Sequence, residues 1–75
     1  MSARKYFGLN IDVFSRNGNR TATHGEWEFD TEAQAKGGVG QALYKISPQL
    51  RPGQRYVIRI VQHEAVFVSA PQMVE

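Results

Sequence analysis

The stretch that decides the fold is residues 6–20, which read YFGLNIDVFSRNGNR. Its first ten residues alternate between two faces with a period of two, which predicts a half-buried β-strand. One face carries Phe7, Leu9, Ile11 and Val13, and the other carries Tyr6, Asn10, Asp12 and Phe14. Asn17-Gly18 follows, and this pair is the strongest short signal for a β-hairpin with a type I′ turn.

The second strand of this hairpin is predicted over residues 20–29. Alternation predicts one face made of Thr21, Thr23, Trp27 and Phe29, and another made of Arg20, Ala22, His24, Glu26 and Glu28. Gly25 stands in the middle of the strand, where a glycine predicts either a β-bulge or room for a bulky neighbour such as Trp27.

A helix is predicted to follow the hairpin. Thr31 and Gln34 have the spacing of a capping box, with Asp30 as an alternative cap one residue earlier. An apolar stripe at helical spacing then comprises Ala35, Val39, Ala42, Leu43 and Ile46. Ser47-Pro48 is predicted to end the helix.

Three glycines, Gly37, Gly38 and Gly40, lie within this helical pattern. Together they cost up to about 3 kcal/mol of helix propensity relative to alanine. No Gly-Lys-Ser/Thr follows them, so a phosphate-binding loop is disfavoured. A close approach of the helix to the sheet explains them better.

A second hairpin completes the chain. Residues 51–54 are predicted to form a turn, residues 55–62 a strand rich in β-branched side chains, and residues 65–69 a short fourth strand. The predicted fold is therefore α+β, an antiparallel ββαββ sheet with one helix packed on one face. We expect a single domain over residues 1–75, with residues 1–5 and 71–75 as flexible tails.

Composition excludes several classes of protein. The 75 residues contain no cysteine, so disulfides and thiolate metal sites are excluded, and the net charge is +2. The two histidines, His24 and His63, have no neighbours at ligand spacing, and we expect neither a metal nor another cofactor. No apolar run resembles a signal peptide or a membrane span, so we expect a cytoplasmic protein that does not bind membranes.

The face of the sheet that one helix cannot cover is the predicted functional surface. An apolar patch on so small a protein often marks an interface. Arg55 and Arg59 share the face of Val57, whereas acidic residues cluster on the second strand and at the start of the helix. The predicted partner-binding residues are Glu26, Glu28, Arg51, Arg55, Arg59, Tyr6 and Phe14.

Catalysis has little support in the sequence, and we expect no enzyme activity. His24 and Glu26 share a predicted strand face and offer a base with its orienting carboxylate, but no nucleophile accompanies them. The leading hypothesis is a small binding protein that docks on a larger protein or nucleoprotein complex. One alternative is a nucleic-acid-binding domain that uses Arg51, Arg55 and Arg59. Another is a homodimer that buries the free face or pairs its edge strands.

The layout also resembles a known class of small proteins. The hairpin, the Ala/Gly-rich helix of residues 31–37 and the final hairpin led by residues 55–58 resemble phage- or prophage-encoded inhibitors. These include anti-CRISPR proteins of type I systems and short inhibitors of host RNA polymerase. The resemblance spans residues 6–70 and is one of layout, without a shared diagnostic motif. It implies a protein that blocks a large nucleoprotein machine through a charged surface and has no active site.

Overall fold

Five strands and two short helices make up the computed structural model, which describes residues 6–75. The elements in chain order are β1 (Phe7–Phe14), β2 (Arg20–Phe29), α1 (Glu32–Gly37), α2 (Val39–Ile46), a 3₁₀ turn (Ser47–Gln49), β3 (Arg55–Gln62), β4 (Glu64–Val68) and β5 (Gln72–Met73). The strands form one antiparallel sheet in the order β2-β1-β3-β4, and β5 pairs with β3. The fold is therefore α+β. The tail predicted at residues 1–5 lies outside the described residues.

The first hairpin turns differently from its prediction. The Gly18 N–H donates to the Ser15 carbonyl at 2.9 Å, and the Ser15 N–H donates to the Asn19 carbonyl at 2.8 Å. Gly18 has a left-handed φ of 86°, whereas Asn17 does not have a positive φ. A type I′ turn needs positive φ at both central residues, so that prediction is wrong. The loop is one residue longer, a type I turn that Gly18 closes.

The predicted capping box starts the helical region. Thr31 is the N-cap, and its hydroxyl accepts the N–H of Gln34 at 3.1 Å. The Gln34 side chain in turn accepts the N–H of Asp30 at 3.1 Å. The Thr31 half of the capping box is therefore as predicted, whereas the reciprocal bond goes to the residue before the N-cap instead of to the Thr31 N–H.

The single predicted helix is two helices that meet at Gly38. A Cβ atom built on Gly38 would overlap the Phe29 ring, whereas one on Gly37 or Gly40 would meet nothing within 4 Å. The expected close approach of helix and sheet is thus confirmed at Gly38 alone. The other two glycines lie in open space.

The core lies between the helices and one face of the sheet. The predicted helical stripe faces inward, with Ala35, Ala42 and Ile46 buried and the other two members half-buried. The sheet contributes five buried apolar side chains, Leu9, Ile11, Val13, Ile58 and Ile60. Each leucine or isoleucine so buried contributes about 1.5–3 kcal/mol, which makes this layer the main source of stability.

A β-bulge divides β2 at Gly25. Leu9 pairs with Trp27 but Ile11 pairs with His24, so Gly25 and Glu26 together oppose one residue, Asn10. The predicted bulge is confirmed. A Cβ on Gly25 would overlap the Asn10 side chain, so the bulky neighbour is Asn10 and not Trp27.

The bulge changes which β2 side chains face the helices. After the bulge Trp27 and Phe29 pack against the core, as predicted. Before it, Ala22 and His24 pair with core-facing residues of β1, and Thr23 pairs with Asp12 of the opposite face. A second register shift lies at the end of β2, where Thr21 is left without a direct partner between Ala22 and Arg20. The prediction that Thr21, Thr23, Trp27 and Phe29 share one face is therefore wrong for Thr23, because the extra residue at Gly25 shifts the alternation by one.

The C-terminal residues are paired to the sheet. Arg55 pairs with Met73, and Tyr56 pairs with Gln72. Beyond them, the Val74 N–H donates to the Gln54 carbonyl at 2.8 Å, and the Val74 carbonyl accepts the Gly53 N–H at 3.0 Å. Residues 72–73 thus form a short edge strand and Val74 is bonded to the loop before β3, where the sequence predicts a loose tail.

Candidate docking surface

One face of the sheet has no described element packed over it. We call it the open face, and the pairing register gives its occupants. β1 and β3 contribute Asn10, Asp12, Phe14, Arg55, Val57, Arg59 and Val61. The predicted alternation of these two strands is confirmed, and Val57 and Arg59 both lie on the open face.

In the middle of the open face, polar side chains bind one another and are not free to bind a partner. The Asp12 carboxylate accepts the Nε–H of Arg59 at 2.7 Å and the hydroxyl of Thr23 at 2.8 Å. Asp12 is buried, although no helix lies over it. Arg59, a predicted partner-binding residue, is therefore engaged within the fold. Its guanidinium is less available to a partner than the sequence suggests.

A row of side chains crosses the open face next to the first hairpin turn. Phe14 pairs with Arg20 of β2 on one side and with Arg55 of β3 on the other. Arg55 in turn pairs with Met73 of β5. Directly paired residues of antiparallel strands lie within about 5.5 Å of each other and project to the same face. The row Arg20–Phe14–Arg55–Met73 thus joins an aromatic ring, two guanidinium groups and a thioether.

A small cavity opens beside this row. Its volume is about 210 Å³, and its lining is Phe14, Ser15, Gly18, Arg55, Val57 and Pro71. The Ser15 hydroxyl is buried and has no hydrogen-bond partner within the described part of the chain. Val68 and Met73 near it on the same face are 55% and 60% exposed. Exposed apolar surface therefore extends from the cavity towards the β4–β5 edge.

Two further arginines reach this end of the molecule through loops. A Cβ on Gly53 would overlap the Arg16 guanidinium, so Arg16 lies across the loop before β3. Arg51 lies in the same loop, which the Gln54 side chain holds by accepting the Arg51 N–H at 2.7 Å. Both side chains are exposed. We call the four exposed arginines Arg16, Arg20, Arg51 and Arg55 the arginine end.

Acidic residues lie towards the opposite end. Glu28 pairs with Gly8 at the start of β1, and Glu64 lies at the β3–β4 turn. Glu32, in the first turn of α1, forms an ion pair with Lys36 at 3.1 Å. Glu26 lies nearer the middle, at the bulge. At about 3.3 Å per strand residue, the start of β1 is roughly 25 Å from Phe14.

The predicted partner-binding residues are thus divided between two places. Phe14 and Arg55 are adjacent, and Arg51 lies at the same end. Tyr6 is 45% exposed and lines a cavity at the acidic end with Glu28. The length of β1 separates these two groups, and the sequence likewise expects the arginines at one side of the open face and the glutamates at the other.

Sequence reasoning missed Arg20 and Met73 as members of the row. Alternation alone gives the face of a side chain but not its neighbour on the next strand. It also placed His24 and Glu26 on one face, which the bulge overturns. His24 pairs with the core-facing Ile11, whereas Glu26 opposes Asn10 of the open face.

No group of three or more His, Cys, Asp or Glu side chains in residues 6–75 is arranged to hold a metal ion. Within the same residues, every helix is too short or too polar to cross a membrane. No family model matches the chain, and comparisons with curated proteins and with solved structures likewise gave no match.

Proposed function

We propose that the chain is a small non-catalytic binding protein that docks on a larger protein or nucleoprotein complex through the open face at its arginine end. The observation that carries this proposal is the row Arg20–Phe14–Arg55–Met73, which adjoins a cavity on a face that no described element covers. Aromatic, methionine and arginine side chains are the types enriched at protein interfaces. Arginine, together with tryptophan and tyrosine, is also enriched among binding hot spots.

The resemblance of layout supports a narrower form of the proposal. It suggests a phage-type inhibitor, such as an anti-CRISPR protein, that acts in the cytoplasm on a nucleoprotein machine. In that case the arginine end is the contact, and the protein needs no active site to block its target. The separation of arginines from carboxylates along the sheet is consistent with a surface that orients a charged partner.

A capture experiment with matched variants tests the proposal. Val68→Asp and Met73→Asp each place a charge on the open face, whereas Tyr44→Asp changes a side chain on α2 that is 80% exposed. We expect the wild type and Tyr44→Asp to capture the same partner from a lysate of the source organism. Val68→Asp and Met73→Asp should lose it. If all four capture the same proteins, the open face is not the docking surface.

Nucleic-acid binding is a second candidate, which one observation favours. Phe14 lies between Arg20 and Arg55, and a ring flanked by guanidinium groups suits a stacked base with its phosphates. A fluorescence titration with single- and double-stranded DNA and RNA at several salt concentrations tests it. Real binding must weaken steeply as salt rises. Absence of binding at low salt ends this candidate.

Self-association is the remaining alternative for the open face, since a homodimer would cover the exposed Val68 and Met73. Light scattering at micromolar concentration measures it. A monomer mass would exclude the homodimer, and the open face would then be available to a different partner. A dimer mass that Met73→Asp returns to the monomer mass would support it and would contradict docking on a larger complex.

A further inference from the structure

We propose that the partner contacts the arginine end with an acidic protein segment that carries one large apolar side chain. The apolar side chain enters the cavity between Phe14 and Val57, and flanking carboxylates pair with Arg20 and Arg55. This inference rests on the proposed docking function and names the chemistry of the partner.

The cavity sets the size of the inserted group. At about 210 Å³ it is smaller than typical small-molecule sites, which span roughly 300–1,000 Å³. It suits one inserted side chain, the usual anchor of a protein hot spot. Phe14, Val57 and Pro71 supply apolar walls. A leucine- or phenylalanine-sized group is therefore the expected occupant.

The charge around the cavity sets the chemistry of the flanking groups. All four residues of the arginine end are exposed, and none forms an ion pair with another described residue. Two carboxylates of the described chain lie nearby. Glu75 follows Val74, which is bonded to residues 53 and 54, and Asp12 pairs with Val57 but is buried and already bound by Arg59. Guanidinium groups bind carboxylates through two parallel hydrogen bonds. An excess of unpaired arginine thus favours an acidic partner.

The rest of the surface favours a protein over a nucleic acid. Phe14 is the one aromatic side chain in the row, whereas single-stranded nucleic acid is usually held by successive stacking side chains. Val68 and Met73 add exposed apolar surface to the same face, and apolar side chains form no favourable contact with a phosphate backbone. The carboxylates of β2 would also repel a strand that ran along the sheet.

Labelled synthetic peptides test the inference on the full chain. The first probe is a fluorescein-labelled twelve-residue peptide of Asp, Glu and Gly with one central Leu, and the second replaces that Leu by Ala. Fluorescence anisotropy should show saturable binding of the Leu peptide below about 1 mM at low salt. We expect the Ala peptide to bind about tenfold more weakly, because it leaves the cavity empty.

Variants of the chain separate the two contacts. Arg20→Glu and Arg55→Glu should each weaken the Leu peptide about tenfold or more, since each replaces an attractive contact with a repulsive one. Lys45→Glu makes the same charge change on α2 and should leave the affinity for the Leu peptide unchanged. Val57→Phe fills the cavity and should remove the difference between the Leu and Ala peptides. Circular dichroism checks that each variant folds.

Four outcomes would overturn the inference. The first is equal affinity for the Leu and Ala peptides, and the second is no loss on Arg55→Glu. The third is tighter binding of a twelve-nucleotide single strand of DNA than of the Leu peptide, which would assign the surface to nucleic acid. Failure of both peptides while the capture experiment still depends on Met73 would leave the docking function standing and reject only the acidic partner.

Discussion

Asp12 and Arg59 form an ion pair between β1 and β3, in which the Arg59 Nε–H donates to the Asp12 carboxylate at 2.7 Å. The two partners differ in exposure, since the Asp12 side chain is 7% exposed and the Arg59 side chain 33%. The Arg59 Nη2 group makes a second, longer contact with the same carboxylate at 3.4 Å, and the Thr23 hydroxyl donates a third at 2.8 Å. The pair therefore occupies the middle of the open face. Because the Asp12 carboxylate is buried, its charge is stabilised by Arg59 and Thr23 and little by water.

This difference in exposure predicts unequal effects of removing each partner. Arg59→Met strands a buried carboxylate, and we expect the free energy of unfolding to fall by about 2–4 kcal/mol. Asp12→Asn keeps an acceptor for Thr23 and leaves an arginine that reaches water, so the expected loss is about 1 kcal/mol. Urea denaturation followed by Trp27 fluorescence measures both.

Arg55→Met is the matched control on the same strand and face. Arg55 is exposed and has no ion pair within the described residues, so its replacement should change stability by no more than about 0.5 kcal/mol. Equal losses for the Arg59 and Arg55 variants would show that the ion pair contributes nothing to the fold.

The parts of the fold that the sequence predicted are those governed by local alternation. β1 and β3 pair with each other without a register shift, so the parity of each residue gives its face even where apolar residues such as Val57 and Val61 lie on the open side. On β2 the extra residue at Gly25 resets the parity. The first half of that strand directs Ala22 and His24 to the core, and neither side chain gives a strong apolar signal. Gly25 is therefore enough to predict a bulge in β2, but it does not show which side chains of β2 change faces.

The candidate site was less predictable because it depends on register between distant strands. Parity placed Phe14 and Arg55 on the open face, but it could not show that they pair directly or that Met73 continues the row. The engagement of Arg59 by Asp12 likewise follows from β1 lying next to β3. Strand order is set by packing of the whole sheet, which no single segment encodes.

The three helical glycines should respond differently to alanine. Gly37 and Gly40 lie in helices with nothing within 4 Å of a Cβ, so Gly37→Ala and Gly40→Ala should each raise the free energy of unfolding by about 0.5–1 kcal/mol. At Gly38 the Cβ would overlap the Phe29 ring, and Gly38→Ala should lower stability. Thermal denaturation of the three variants measures the order. A gain for Gly38→Ala equal to the others would contradict the close approach.

Two serines form a second matched pair. The Ser15 hydroxyl is buried without a partner in the described residues, so Ser15→Ala should leave stability unchanged or raise it by up to about 1 kcal/mol. The Ser69 hydroxyl accepts the Ile58 N–H at 2.9 Å where β4 has ended. Ser69→Ala leaves that donor unpaired and should cost about 1–2 kcal/mol. Hydrogen exchange of the Ile58 amide should speed up in Ser69→Ala alone, and unchanged exchange would reject the bond.

Asn10 and Gly25 should be energetically coupled, because the Asn10 side chain occupies the space of a Gly25 side chain. Gly25 does not have a positive φ, so alanine suits its backbone and only the overlap opposes it. Gly25→Ala alone should lower the free energy of unfolding by about 1 kcal/mol. With Asn10→Ala in place, the same change should be neutral or stabilising by about 0.5 kcal/mol, since a strand glycine is less favourable than alanine. A double-mutant cycle in urea measures the coupling. An effect of Gly25→Ala that is the same with and without Asn10 would mean that the bulge is held by the backbone and not by this contact.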